Sequence, residues 1–274
     1  MNVFIIGIQG RVAQRHALAW QKLGVKVFGC GSDIDYREVI DKKYHDIIDI
    51  CTPIYLHASM IKECIKKGFP VISEKPLCLT ENEARELIKL KGKIGIIYQF
   101  RYNPKIIKLR QEVLNGVYGE IKMVTANYFR WRGEEYYKKW EHDKFKAGGG
   151  VLFNVCIHYV DLIQWLFGYP TSIAGHMTTS KAGIEVEDNV AMSMRLPNGG
   201  IAAVNLSSHV NPPKHFEFSV YGTKGHTTIQ LRQNEYHKDN FKAFLSGKDF
   251  VDPIEAYKSF KIINDFYHNA NSQT

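Results

Sequence analysis

Short apolar runs alternate with amphipathic stretches through the first hundred residues. Val3-Phe4-Ile5-Ile6, Val25-Lys26-Val27-Phe28, Ile47-Ile48-Asp49-Ile50-Cys51, Pro70-Val71-Ile72-Ser73 and Ile94-Gly95-Ile96-Ile97-Tyr98 read as strands. Such runs suit a parallel sheet covered on both faces. Helices are expected from Val12 toward Leu23, over His57 to Lys67, and after Thr80 through Leu90, where Thr80 and Glu83 have the spacing of a capping box. The alternation predicts a doubly wound α/β sheet. Its second crossover is reduced: 18 residues lie between Phe28 and Ile47, room for no more than a short helix over Asp35 to Asp41.

After Pro104 the period changes. A helix is expected over Lys105 to Leu114, ending at Asn115-Gly116, and then a long strand from Ile121 to Trp131. Strands follow at Asn189 to Leu196, Ile201 to Ser207 and Phe216 to Tyr221, with turns at Pro197-Asn198-Gly199-Gly200 and Gly222-Thr223-Lys224-Gly225. This half reads as an α+β domain with a mostly antiparallel sheet. Helices over Asn240 to Leu245 and Pro253 to Asn269 favour neither half by their pattern. The expected division is residues 1–117 and 118–274.

Composition narrows the class. With 45% hydrophobic and 23% charged residues, the 274-residue chain is neither disordered nor fibrous. Its charge of +8 is scattered through pairs such as Lys42-Lys43, Lys66-Lys67 and Lys138-Lys139, which argues against a nucleic-acid surface and suits an anionic ligand or plain solubility. The five cysteines match no disulfide framework and no metal-binding spacing. No leader-like or membrane-length apolar run is seen, so a cytoplasmic protein without membrane association is expected.

The first strand runs into Gly7, Gly10 and Ala13, a relaxed G-x-x-G-x-x-A turn. Such a turn presents backbone N–H groups and a helix N-terminus to a pyrophosphate, and is also found as a simple turn in other α/β proteins. The acidic residue that would close the second strand on a ribose is replaced by Gly29-Cys30-Gly31, with Asp33 the nearest carboxylate. The second informative stretch is Gly148-Gly149-Gly150 followed by an apolar helix carrying Asn154, His158 and Asp161. In a continuous helix Asn154 and His158 share a face. They read either as active-site groups or as satisfied core polar residues, with Asp161 bonding His158 or a backbone group.

Together these motifs resemble the Gfo/Idh/MocA oxidoreductases across nearly the whole chain. Glu74-Lys75-Pro76 resembles the family's E-K-P, whose lysine lies at the reacting centre, and Thr52-Pro53 with His57 resembles its T-P-x-x-x-H beside the cofactor. The glycine-led helix matches G-G-G-x-L-x-D-x-x-x-H-x-x-D, except that Asn154 stands where aspartate is usual. That asparagine, the Gly7 to His16 opening, Gln99 to Pro104 and Arg132 to Trp140 are similar to the branch that oxidises C3 of UDP-N-acetylglucosaminuronic acid, the UDP-N-acetyl-2-amino-2-deoxyglucuronate dehydrogenases.

The resemblance implies a Rossmann-type domain holding NAD, with NADP left open, and a second domain for substrate. Expected cofactor contacts are Gly7, Gly10, Arg11, Val12, Ala13, Cys51, Thr52, Pro53, His57, Glu74, Lys75 and Gln99. Lys75, His158 and Asn154 are the expected catalytic set, with Lys75 or His158 as base and Asn154 orienting the hydroxyl. Arg101, Tyr102, Asn103, Arg130, Arg132, Tyr136, Tyr137 and Trp140, with Asn154 and His158, are expected on a nucleotide sugar. The aromatic and arginine residues suit a subunit interface equally well, and a homodimer or homotetramer is expected. A keto-acid such as 2-oxoglutarate is the expected acceptor for cofactor reoxidation, and no metal is expected. A dehydrogenase of another sugar or of inositol, and a catalytically silent nucleotide-sugar binder, are the alternatives.

Overall fold

The computed structural model describes residues 1–211, 215–231 and 236–271. They separate into two compact units, Met1–Gln99 with Asn234–Tyr257, and Phe100–Gln233 with Lys258–Thr274. The division expected after residue 117 therefore falls inside the second unit. An amphipathic helix advertises one apolar face, but its period does not say which sheet will receive it.

The first unit runs β1 (Asn2–Ile6), α1 (Arg11–Gln21), β2 (Lys26–Cys30), α2 (Tyr36–Val39), β3 (Ile47–Ile50), α3 (His57–Lys66), β4 (Val71–Ser73), α4 (Glu81–Lys89) and β5 (Ile94–Ile96). The strands are all parallel, in the order β2-β1-β3-β4-β5. The order reverses direction at β1 and β3, which places a crevice at their carboxyl ends. The reduced crossover is present as the four-residue α2. Thr80 and Glu83 form the expected reciprocal capping box on α4.

The second unit contains α5 (Pro104–Leu114), β6 (Ile121–Phe129), α6 (Lys144–Ala147), α7 (Ile157–Phe167), β7 (Ser172–Thr178), β8 (Asn189–Arg195), β9 (Ile201–Ser207), β10 (His215–Gly222) and β11 (Gly225–Gln230). These strands form a six-stranded sheet ordered β11-β10-β6-β9-β8-β7, antiparallel except at β6–β9. Val124, Ala126 and Tyr128 of β6, Val190, Met192 and Met194 of β8, and Ala202, Val204 and Leu206 of β9 alternate onto the buried face. The edge strands β7 and β11 escape the pattern reading because their small and polar residues alternate little apolar surface. The strand expected to reach Trp131 stops at Phe129, since Arg130 and Arg132 donate their amides to the adjacent Ser207 and Ser208 carbonyls and regular pairing breaks.

The C-terminal helices are α8 (His237–Ser246) and α9 (Pro253–Asn271). Helix α8 returns to the first unit. Phe241 and Phe244 join Val3, Ile5, Ile47 and Ile72 of the sheet and Ala13 and Trp20 of α1 in one core, with the Phe241 and Trp20 rings stacked 4.0 Å apart. Gly95 permits this docking, because a Cβ there would lie 2.6 Å from the Phe244 ring. Truncating Phe241 to alanine should cost about 3–5 kcal/mol, as large aromatic deletions do. Chemical denaturation should show the loss; a midpoint equal to the parent's would contradict a core shared by α1 and α8.

Candidate functional site

At the end of β1, Gly7 adopts φ +87°, a conformation that L side chains rarely enter, and an added Cβ would also lie 3.1 Å from the Cys51 carbonyl oxygen. Gly10 then opens α1 without a side-chain cap, and the first turn has no acidic residue. No side chain caps the first N–H groups at the positive end of this helix, where Arg11 holds the first position. Val12 is half-buried beside them, and Ala13 is fully buried against the sheet. Cys51, Thr52 and Pro53, half-buried, form the neighbouring turn after β3. This donor set fits a dinucleotide pyrophosphate. Asp33, exposed after β2, accepts a hydrogen bond from Gln9 at 3.2 Å.

Beyond β4 lies Glu74-Lys75-Pro76, with a cis Lys75–Pro76 peptide. His57 is buried, its Nδ1 2.8 Å from the Pro76 carbonyl oxygen and its Nε2 3.0 Å from that of Thr52, so the ring ties the two turns together. His57, expected on the cofactor, sits between two carbonyl oxygens, and its neutral ring has one N–H to donate to one of them. Burial lowers its pKa.

Beneath these turns is a charged cluster the sequence reading missed. His16 is fully buried, with Nδ1 3.0 and 3.1 Å from the two Asp49 oxygens and Nε2 3.1 Å from Glu74 Oε1. Trp20 Nε1 donates to Asp49 at 2.7 Å. Burial opposes the charged ring, but the Asp49 carboxylate outweighs it and raises the His16 pKa well above its ordinary value. Burial likewise opposes the Glu74 carboxylate, which the His16 hydrogen bond and the Lys75 charge hold well below the usual range. His237 of α8 packs on the His16 ring and, through burial and the charge of His16, titrates at about 4. The available signal was Asp49, a carboxylate inside an otherwise apolar strand.

In the second unit the glycine run precedes a π-helical turn over Val151–Val155, and α7 begins only after Cys156. The segments to either side meet at 57°. Asn154 and His158 therefore do not share the face of one continuous helix. The glycines serve close packing: a Cβ on Gly150 would fall 1.8 Å from the Glu187 carbonyl oxygen, and one on Gly149 2.2 Å from the Tyr267 hydroxyl. Glu187, unforeseen, accepts the amides of Gly150 at 2.7 Å and Leu152 at 3.1 Å and the Tyr267 hydroxyl at 2.8 Å.

Asn154 Nδ2 donates to the Tyr136 hydroxyl at 3.3 Å, and Tyr136, Tyr137, Glu141, Asn154 and Ser208 line one crevice with Gly150 and Val151. Tyr137 and Ser208 hydroxyls are 2.9 Å apart. Arg132 stacks on the Tyr136 ring at 4.5 Å and donates to the Tyr128 hydroxyl at 3.1 Å. Burial raises the Glu141 pKa. Arg130 and Trp140 are half-buried, and neither lines this crevice. His158 is buried beside the Phe100 ring, 4.9 Å between centroids.

Three residues expected at ligands also have partners within the protein: His57, Arg101 and Asn103. Arg101 is buried, its guanidinium bidentate to Asp161 at 2.7 and 2.8 Å, and Asp161 also accepts from Ser259 at 2.9 Å. Asp161 is thus engaged with Arg101 rather than with His158. Asn103 caps α5 by accepting the Lys105 amide. Gln99 is buried at the end of the first unit, and Tyr102 is half-buried one residue before Asn103. Lys75 belongs to the first unit and Asn154 and His158 to the second. Among the described residues no single helix is long and apolar enough to cross a membrane.

Residues 21–102 match the model of an oxidoreductase family with an NAD-binding Rossmann fold, and residues 106–228 match the GFO/IDH/MocA C-terminal domain. The chain belongs to the Gfo/Idh/MocA oxidoreductase family. Levoglucosan dehydrogenase of Pseudarthrobacter phenanthrenivorans is 23% identical over 234 residues, 74% of this chain and 60% of that protein. The chain spans between 54% and 60% of the first three curated relatives it matches. The WlbA dehydrogenase from Bordetella pertussis, solved with NADH and UDP-GlcNAcA, superposes with a TM-score of 0.87 at 22% identity, covering 100% of this chain and 97% of that one. Myo-inositol 2-dehydrogenase from Lactobacillus plantarum gives 0.85 at 22% identity, with 100% and 98% covered. At these identities the likeness is one of fold.

Two outcomes are expected of this arrangement. Arg101→Ala leaves Asp161 buried without its cation and should destabilise the protein by about 3–5 kcal/mol in equilibrium unfolding, whereas a ligand-binding arginine would cost little. For His237, the unfolded ring titrates near 6.5 and the folded ring at about 4. As pH falls through that window the unfolded chain takes up a proton that the folded chain does not, so stability present above it is lost, by about 3 kcal/mol at the acid end. His237→Phe should flatten that acid decline in melting temperature; an unchanged slope would exclude His237 as its source.

Proposed function

We propose that the chain is a nicotinamide-dependent dehydrogenase that oxidises a hydroxyl of a sugar or nucleotide sugar. The observation that carries this reading is Lys75, half-buried on the turn after β4, at the same carboxyl edge as the uncapped glycine turn. When bound, the nicotinamide supplies the hydride acceptor. Lys75 holds the reacting hydroxyl and stabilises its developing negative charge, and His158 or Lys75 takes the proton. Asn154, fixed by Tyr136, orients the hydroxyl without adding charge. NAD is the proposed cofactor, through Gly7, Gly10, Arg11 and the Thr52-Pro53 turn.

For the substrate we favour C3 of a UDP-linked N-acetylamino sugar or its uronic acid. Asn154 in place of aspartate, together with Tyr136 and Tyr137 lining one crevice and Arg132 stacked on Tyr136, supports that choice. The Bordetella relative, solved with UDP-GlcNAcA bound, is consistent with it. A keto-acid such as 2-oxoglutarate is the proposed reoxidant, and a homodimer or homotetramer the proposed assembly. Glu141 favours a second reading, oxidation of a neutral polyol. Its Oε2 lies buried in the crevice with no protein hydrogen bond among the described residues, and a carboxylate there suits a hydroxyl donor better than an anionic ligand.

The test offers purified protein a panel of UDP-sugars, free sugars and inositols with NAD or NADP, with and without 2-oxoglutarate, and follows nicotinamide absorbance while NMR locates the new ketone. Oxidation at C3 of a UDP-sugar is expected, and turnover confined to free polyols would establish the second reading. Lys75→Ala should lower kcat by about 100-fold or more with dinucleotide affinity retained. Equal turnover in variant and parent would remove Lys75 from the chemistry.

A further inference from the structure

The cluster under the Glu74-Lys75 turn is organised around one imidazole with an acid on each side. Both Asp49 oxygens lie within 3.1 Å of His16 Nδ1, and Glu74 Oε1 lies 3.1 Å from Nε2. A neutral imidazole has one N–H, so one of its nitrogens would turn a lone pair toward a carboxylate; on the Asp49 side the Cys51 thiol, with Sγ 3.1 Å from Nδ1, offers only one weak S–H donor against two facing oxygens. With His16 fully buried, water does not relieve that contact. Each acid is also required as an acceptor elsewhere: Asp49 takes the Trp20 indole N–H at 2.7 Å, and Glu74 Oε2 takes the Lys75 amide at 3.2 Å.

We propose that His16 is a positioning residue for Lys75: its ring, protonated on both nitrogens, bridges Asp49 and Glu74 and so fixes the carboxylate that grips the Lys75 amide. The bridge couples β3, which carries Asp49, to the turn after β4 through α1. The positioning role rests on the dehydrogenase reading; the bridge does not. The ionisable groups that face the ring are Asp49 and Cys51 from β3 and its end, Glu74 from the turn after β4 and His237 from α8; around them, the Lys75 charge acts on Glu74 and the Arg15 charge on His237. Burial raises the Cys51 pKa, so its thiol stays neutral beside the ring. The competing occupant is a cation. His16, Glu74 and His237, and separately His16, Asp49 and Cys51, offer ligand atoms within 4.8 Å of one another.

The bridge is tested on the intact protein labelled with 15N-histidine, by two-bond proton–nitrogen correlation spectra from about pH 6 to about pH 9. Both His16 nitrogens should remain in the protonated range throughout. An imine nitrogen at neutral pH, or stoichiometric zinc in the purified protein, would overturn the bridge. Through-bond assignment on the parent avoids dependence on a variant that fails to fold. Glu74→Gln, close in shape, should let His16 lose a proton within the titrated range; a ring still doubly protonated there would exclude Glu74 as its partner.

Positioning is read by amide exchange and kinetics. In His16→Gln, exchange at the Lys75 amide should quicken by about tenfold or more while Ile48 and Val71 in the strands keep their protection. Equal exchange at Lys75 would overturn the positioning role. Should this variant unfold, the same comparison is read in Glu74→Ala, which removes the oxygen that accepts the Lys75 amide. Where the parent turns over, kcat should fall about tenfold with the dinucleotide KM little changed. A parent without hydride transfer would sink the dehydrogenase reading alone, since the spectra and exchange rates still decide the bridge.

Discussion

A carboxylate buried in the middle of a parallel strand cannot be left without donors. Asp49 sits on β3 with no solvent exposure, where an uncompensated charge would cost several kcal/mol. The donors come from one helix face: Ala13, His16 and Trp20 of α1 are all buried, the alanine admitting the helix to the sheet and the other two reaching Asp49. Helix α1 is thereby locked in rotation as well as in place. The orientation of its first turn, and of the glycine turn that leads into it, follows from that lock.

The second unit solves the same problem twice. Asp161, buried on α7, is met by Arg101 and by Ser259, residues 60 and 98 positions away in the chain. Glu187 takes the Gly150 and Leu152 amides and the Tyr267 hydroxyl, holding the start of the π-helical turn against the strand region that precedes β8. Each carboxylate draws partners from separate segments, so removing one member exposes an unpaired group rather than merely deleting a contact.

These anchors place the chemistry-bearing residues on short turns bounded by rigid elements. Lys75 follows β4 directly and is flanked by Glu74, held by His16, and by Pro76, whose carbonyl meets His57. Asn154 lies in a π-helical turn, a rare geometry that recurs at functional positions because the widened turn re-aims a side chain. The crevice beside it is lined by Glu141, and Arg132 stacks on the Tyr136 ring that forms part of its wall.

Periodicity and turn chemistry were enough to foretell the parallel sheet, the shortened α2, the capping box at Thr80 and Glu83, and β9 from Ile201 to Ser207, because each depends on neighbours within a few residues. The glycine turn and Glu74-Lys75-Pro76 were legible for the same reason. Pairings across tens of residues were not. A polar side chain in sequence carries no mark of its protein partner, and only folding brought Asp161 to Arg101 and made Asn103 a helix cap. Asp49 signalled an unmet need, yet which residues would meet it depended on how α1 lies on the sheet. The break at Cys156 and the return of α8 to the first unit were likewise settled by packing, through Glu187 against Gly150 and Phe244 over Gly95, since a glycine announces the freedom to be approached and not the group that approaches.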